Sequence, residues 1–118
     1  MLILLSALLS TTLSSQASFE MLGGTATGAG AAAIGDGTTA SGDASLAIGL
    51  NTSALKNYSF ATGNNSIANG IGATAIGLNT SAQGDYSFSL GQGTSAGGFA
   101  SVAIGPVSYT HLTLPTKA

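Results

Sequence analysis

Bulky apolar residues fall at every second position in short runs along most of this chain. In Ser45-Leu46-Ala47-Ile48, Leu and Ile share one side and Ser and Ala the other. Period two is the mark of a β-strand, whose successive side chains point to opposite faces. A second run, Thr52-Ser53-Ala54-Leu55, is strand-like too, with smaller residues. Between the runs stand Gly49-Leu50-Asn51, Gly63-Asn64-Asn65 and Gly77-Leu78-Asn79, and Gly42-Asp43 and Gly84-Asp85 close the unit. Gly and Asn tolerate positive φ and so suit sharp turns. Helix is disfavoured, because each interior glycine costs about 1 kcal/mol.

The pattern is strictly periodic. Ile34-Gly35, Ile48-Gly49, Thr62-Gly63, Ile76-Gly77, Leu90-Gly91 and Ile104-Gly105 follow one another with a period of 14 and no insertion. Thr38, Thr52, Ser66, Thr80 and Thr94 hold one column, and Ala40, Ala54, Ala68, Ala82 and Ala96 another. A longer period, twice the first, lies over this one. The segment Ala47–Ala54 recurs unchanged at Ala75–Ala82, and Tyr58-Ser59-Phe60 returns as Tyr86-Ser87-Phe88. A disordered Gly/Ser chain has no reason to keep register over six units.

Two strands and two turns in each repeat describe one coil of an all-β solenoid, in which equivalent residues stack as ladders. The expected inward ladder is Ile34, Leu46, Ile48, Phe60, Ile76, Phe88, Leu90, Val102 and Ile104, interrupted by Thr62 and Thr74. The small residues of the column from Ala33 to Ala103 are then expected to face the other way, as a flat stripe that packs against copies of the same chain. So few large side chains leave a single thin coil short of core, which favours a homo-oligomer.

Composition narrows the function. Only six of the 118 residues are charged, with two Lys/Arg against four Asp/Glu, and there is no Cys. Two lysines cannot supply the basic footprint of a nucleic-acid binder. Disulfides and Cys-based zinc sites are excluded. No catalytic constellation is visible: the single histidine is His111, outside the repeats. A period of 14 does not fit the hexapeptide solenoids of acyltransferases. Asp43 and Asp85 share a column, but Asn57 and Ile71 intervene, so they read as turn residues rather than calcium ligands. Gly91-Gln92-Gly93 lacks the lysine of a phosphate loop. Neither an enzyme, a cofactor nor a metal is expected.

Ser45-Leu46-Ala47-Ile48-Gly49 and Ser101-Val102-Ala103-Ile104-Gly105, with Thr/Ser, Ala and Gly at fixed offsets, resemble the head repeats of the trimeric autotransporter adhesins, the YadA-like family. The resemblance covers residues 22–105. It implies a left-handed parallel β-roll, assembled as a homotrimer and displayed on the outer surface of a Gram-negative bacterium. It also implies attachment to host matrix proteins such as collagen, to host cells or to other surfaces. The family's collagen-associated motif opens with Asn, where this chain has Ala44 and Ala100. Ser45, Asn51, Asn65, Asn79 and Ser101 are the candidate ligand contacts. Two further readings remain open at this stage. An ice-binding solenoid would use the Thr38–Thr94 column, and a structural fibre segment, as in a phage tail fibre, would need no ligand at all.

The ends differ from the middle. Residues 1–18 carry the apolar run Met1–Leu9 and small residues at Ser15-Gln16-Ala17, resembling a secretory signal without a basic start. Residues 106–118 contain both prolines and break the period. They read as foreign to the repeats, resembling translated adaptor sequence, with a solenoid cap as the competing reading. No heptads or barrel-length strands follow Gly105, so the expectation is a head fragment without stalk or membrane anchor.

Overall fold

A computed structural model describes residues 17–106 and the backbone of Tyr109–Thr110. The whole apolar run Met1–Leu9 and most of the tail, His111 included, lie outside the described residues. Strands alternate in length along the chain: β1 Phe19–Met21, β2 Thr25–Ala26, β3 Ala32–Ile34, β4 Thr39–Ala40, β5 Leu46–Leu50, β6 Ser53–Ala54 and β7 Phe60–Asn64. The order continues with β8 Ile67–Ala68, β9 Thr74–Leu78, β10 Ser81–Ala82, β11 Phe88–Gln92, β12 Ser95–Ala96, β13 Val102–Pro106 and β14 Tyr109–Thr110.

Odd strands form one seven-stranded sheet and even strands another, and every pairing is parallel. Parallel neighbours one sequence period apart are the expected solenoid: Ile48 pairs with Thr62, Thr62 with Ile76 and Ile76 with Leu90. The first coil departs from this. Phe19 pairs with Ala32, one residue short of the period, whereas Thr25 pairs with Thr39. The missing residue falls between β1 and β2, where Leu22 and Gly23 take the left-handed conformation. At the other end β14 pairs with β12 in the usual register, so the second sheet runs one rung past Gly105.

The turns join the ladder as well. Asn51, Asn65 and Asn79 donate their backbone N–H to the carbonyls of Asp36, Leu50 and Asn64 in the preceding coil. On the opposite edge Tyr58 and Tyr86 donate to Asp43 and Ile71 in the same way. Backbone polar groups that a thin coil would otherwise leave unpaired are thus satisfied between coils.

The interior reverses the orientation expected from the sequence. Ala33, Ala47, Ala61 and Ala75 are 0 % exposed, as are Ala40, Ala54, Ala68, Ala82 and Ala96. The expected inward residues, Ile34, Leu46, Ile48, Phe60, Ile76, Phe88, Leu90 and Val102, lie on the other side of the first sheet, half-buried, with Ile104 exposed. The cause is the closure of the coil. Strands β5 and β6 are separated by Asn51-Thr52 alone, and β4 and β5 by residues 41–45. Such short connections hold the two sheets so close that only a methyl or a hydroxyl fits between them. The core is therefore made of Ala, Thr and Ser. The Ala33–Ala103 column cannot pack against another chain, because it fills this lumen.

Stacking is close at the glycine next to last in each five-residue strand. Gly49, Gly63 and Gly77 have φ of 131°, 118° and 137°, where side chains are strained. A Cβ on Gly49 would overlap the carbonyl oxygen of Gly63, and one on Gly63 that of Gly77. Gly63→Ala is expected to lower stability by about 3 kcal/mol or more. Ala75→Leu, which overpacks the lumen, is expected to cost about 1–3 kcal/mol. Ser95→Ala, facing out from the second sheet, should stay within about 0.5 kcal/mol. Denaturant melts followed by far-UV circular dichroism measure all three.

Candidate binding surfaces

With its interior closed by small side chains, the coil offers two sheet faces and two turn edges to its surroundings. The outer face of the first sheet is apolar. Its two columns run through Ala32, Leu46, Phe60, Thr74, Phe88 and Val102, and through Ile34, Ile48, Thr62, Ile76, Leu90 and Ile104. The outer face of the second sheet is more polar, carrying Thr39, Ser53, Ile67, Ser81 and Ser95 in register.

One edge carries Asn51, Asn65 and Asn79, exposed, with φ of 54°, 56° and 57°. Gly37 and Gly93 hold the same column with φ of 70° and 67°. Only Gly and Asn enter this left-handed region readily, so the column is dictated by the turn. Coils stack about 4.8 Å apart, so the edge repeats its amide groups at that spacing or its multiples. A Cβ placed on Gly37 would meet Asn51 Oδ1, so the Asn51 side chain leans over the glycine of the coil before it.

The other edge is built from a second turn. Ser45 N–H donates to the Gly42 carbonyl, and Ala44 between them has φ 54°. Positive φ at the third position is the type II pattern. Equivalent positions hold Tyr58 (φ 63°), Gly72, Tyr86 (φ 60°) and Ala100. Asp43 and Asp85 sit one place earlier. Asp43 Oδ1 accepts the Ala29 N–H at 3.0 Å, Asp85 Oδ1 that of Ile71 at 2.9 Å, and Asn57 Oδ1 that of Asp43 at 2.9 Å. Each ties its coil to the one before, which accounts for acids in this column without a cation. Among the described residues no three His, Asp or Glu side chains converge as metal ligands.

The five candidate contacts separate. Asn51, Asn65 and Asn79 come together in one exposed line. Ser45 and Ser101 do not join them. They are 2 % and 0 % exposed, and their hydroxyls donate to the carbonyls of Gly42 and Gly98 at 2.6 and 2.7 Å. The Ser of the S-[LV]-A-I-G core clamps a turn and has no surface to give a ligand. The threonine column is likewise interior. Thr38, Thr52, Thr80 and Thr94 are at most 1 % exposed, so they cannot order ice. Thr38 Oγ1 donates to the Gly35 carbonyl and Thr80 Oγ1 to Ser66 Oγ, whereas Thr52 Oγ1 has no partner.

Sequence reasoning missed the exposed aromatics. Tyr58, Tyr86 and Phe99 are 67 %, 61 % and 73 % exposed, and the Tyr86 and Phe99 rings meet edge to face at 5.7 Å. Strict alternation would put Tyr58 on the same face as Phe60. The left-handed turn breaks that alternation and sends the ring to the edge. Its position one place before a buried Ser, where other units have Gly or Ala, was the available signal.

The YadA head domain repeat, taken two copies at a time, matches residues 26–52, 40–66 and 68–94, more than half of the chain. The chain belongs to the YadA head repeat family. These are adhesin domains of the bacterial cell exterior, not enzymes. No curated protein matches the chain closely enough to count as a relative. The matched segments lie within the described coils, and the step from residue 26 to residue 40 between the first two is the offset of the strand pairing.

Two outcomes follow for this head repeat. Thr52→Val removes a buried, unpaired hydroxyl at constant shape and is expected to raise stability by about 0.5–1 kcal/mol, whereas Thr80→Val breaks a bond and should cost about 1 kcal/mol. Paired thermal melts distinguish the signs. Asp85→Ala should cost about 0.5–1 kcal/mol, equally in calcium and in chelator, because its carboxylate serves a backbone N–H. A melting temperature that rises with calcium would contradict this.

Proposed function

We propose that this chain is the head portion of a homotrimeric autotransporter adhesin on the outer surface of a Gram-negative bacterium, attaching the cell to host matrix, host cells or other surfaces. The observation that carries the reading is the row of Leu, Ile and Phe facing away from the lumen in a YadA head repeat. A repeated apolar face of this kind is uncommon on a monomeric soluble protein and marks an interaction surface. Three copies meeting on it would supply the large-side-chain core that the coil lacks. The Asn edge and the Ser/Thr face remain outside, and along them adhesion works by avidity. Each coil repeats the same weak contacts, and threefold symmetry presents each contact three times. Collagen is one candidate ligand, although Ala44 and Ala100 stand where the collagen-associated motif has Asn.

Sedimentation equilibrium of the purified chain is expected to give the trimer mass. Ile76→Asp, which places a charge in the apolar row, is expected to give monomers. Binding of the chain to immobilised matrix proteins or cultured cells should fall by about 100-fold or more with the loss of avidity. A wild-type monomer that binds as well as the variant would refute the reading. A trimer with no affinity for any of these surfaces would leave the structural fibre as the function.

A further inference from the structure

A face repeated coil by coil has a weakness. A partner chain displaced along the axis by whole coils meets nearly the same side chains, so register is poorly specified. The duplication of a two-coil unit makes a two-coil displacement the strongest competitor. On the outer face of the first sheet the earlier unit presents Leu46, Ile48, Phe60 and Thr62. The later unit presents Thr74, Ile76, Phe88 and Leu90. All are half-buried in the single chain. Ile48 matches Ile76, and Phe60 matches Phe88. At the other two positions one unit has Leu and the other Thr, in opposite order.

We infer that Thr62 and Thr74 set the axial register in which copies of this chain assemble, an inference that rests on the homotrimeric reading above. In register, rotational symmetry brings each threonine level with its own counterparts, whose hydroxyls can both donate and accept. After a two-coil displacement Thr62 and Thr74 of one chain meet Leu90 and Val102 of its neighbour, and the neighbour's Thr62 and Thr74 meet Ile34 and Leu46. Every displaced hydroxyl then loses water and gains no partner, the costly way to bury a polar group. A single polar residue in an apolar seam selects register in coiled coils by the same physics. It also accounts for the two threonines as interruptions of the apolar columns, which the fold of one chain does not require.

Cross-linking tests this directly, because the chain has no cysteine of its own. Two differently tagged full-length chains, one carrying Ile48→Cys and the other Ile76→Cys, are co-expressed, purified together and oxidised. In register the two positions are about 10 Å apart along the axis, beyond the roughly 4.4–6.8 Å Cα separation a disulfide spans. With Thr62 and Thr74 present, only like-to-like links are expected. In the T62L/T74L background, mixed links should appear at a level comparable with the like-to-like ones, with the trimer mass retained. T74L/L90T makes the two units identical at unchanged composition and should also give mixed links, which covers an aggregating T62L/T74L. Mixed links in the unsubstituted background, or their absence from the assembled variants, would overturn the inference while leaving the trimer standing. A monomeric mass for the unsubstituted chain would overturn the trimer reading and this inference together.

Discussion

The width of the lumen governs this molecule. A coil closed by connections of two and five residues leaves room between its sheets for a methyl or a hydroxyl and nothing larger. From that limit follow the alanine columns, the threonines and serines folded into the turns, and the glycine wherever one coil's backbone rests on the next. The large apolar side chains have nowhere to go but outward. What would be a core residue in a globular domain is a surface residue here. The usual equation of bulk with burial fails because no space exists to bury it in.

A core of methyl groups contributes little hydrophobic free energy, since burial scales with apolar area. The fold compensates by leaving few backbone groups unpaired. Both sheets and both turns bond from coil to coil, and the Asx side chains of Asp43, Asn57 and Asp85 add a further link on one edge. These contacts are all between neighbours, so each coil depends on the two beside it, as in other solenoids. The same dependence makes the outward apolar face an energetic demand. In the proposed trimer, other copies would cover it and make it the interior that each chain alone is too thin to have.

How much of this was legible in the sequence depends on the kind of information a repeat carries. Strand positions, turns and period could be read, because the repeated ladder fixes them many times over. Which face is inside could not be read from alternation, since period two defines two faces and labels neither. Burial of bulky residues, the ordinary rule, points the wrong way: it puts Ser45 and Ser101 on the surface, and Thr52 with them in the ice-binding reading. A better clue was present. Ala40, Ala54, Ala68, Ala82 and Ala96 never vary, while an outward column of the other sheet runs through Leu46, Phe60, Thr74, Phe88 and Val102. A position that accepts only one small residue is confined, and one that accepts Leu, Phe, Thr and Val is open.

A repeat chain therefore carries its own comparison. Each coil is an independent trial of the same backbone, and differences between coils separate what the fold dictates from what it leaves free. The lumen columns exchange Ala only for Ser, or Thr only for Ser, and the glycine column from Gly35 to Gly105 does not change at all. The outward columns and the Asp43–Phe99 edge exchange freely, from Asp and Asn to Ile and Phe. Function can sit only where the fold permits choice, so the proposed adhesion and assembly would fall to those outward positions. Perfect repetition there would be harmful, because identical coils cannot tell one alignment of partner chains from another. In the proposed trimer the irregularities on the apolar face, Thr62 and Thr74 among them, would give a periodic surface a single correct partner position.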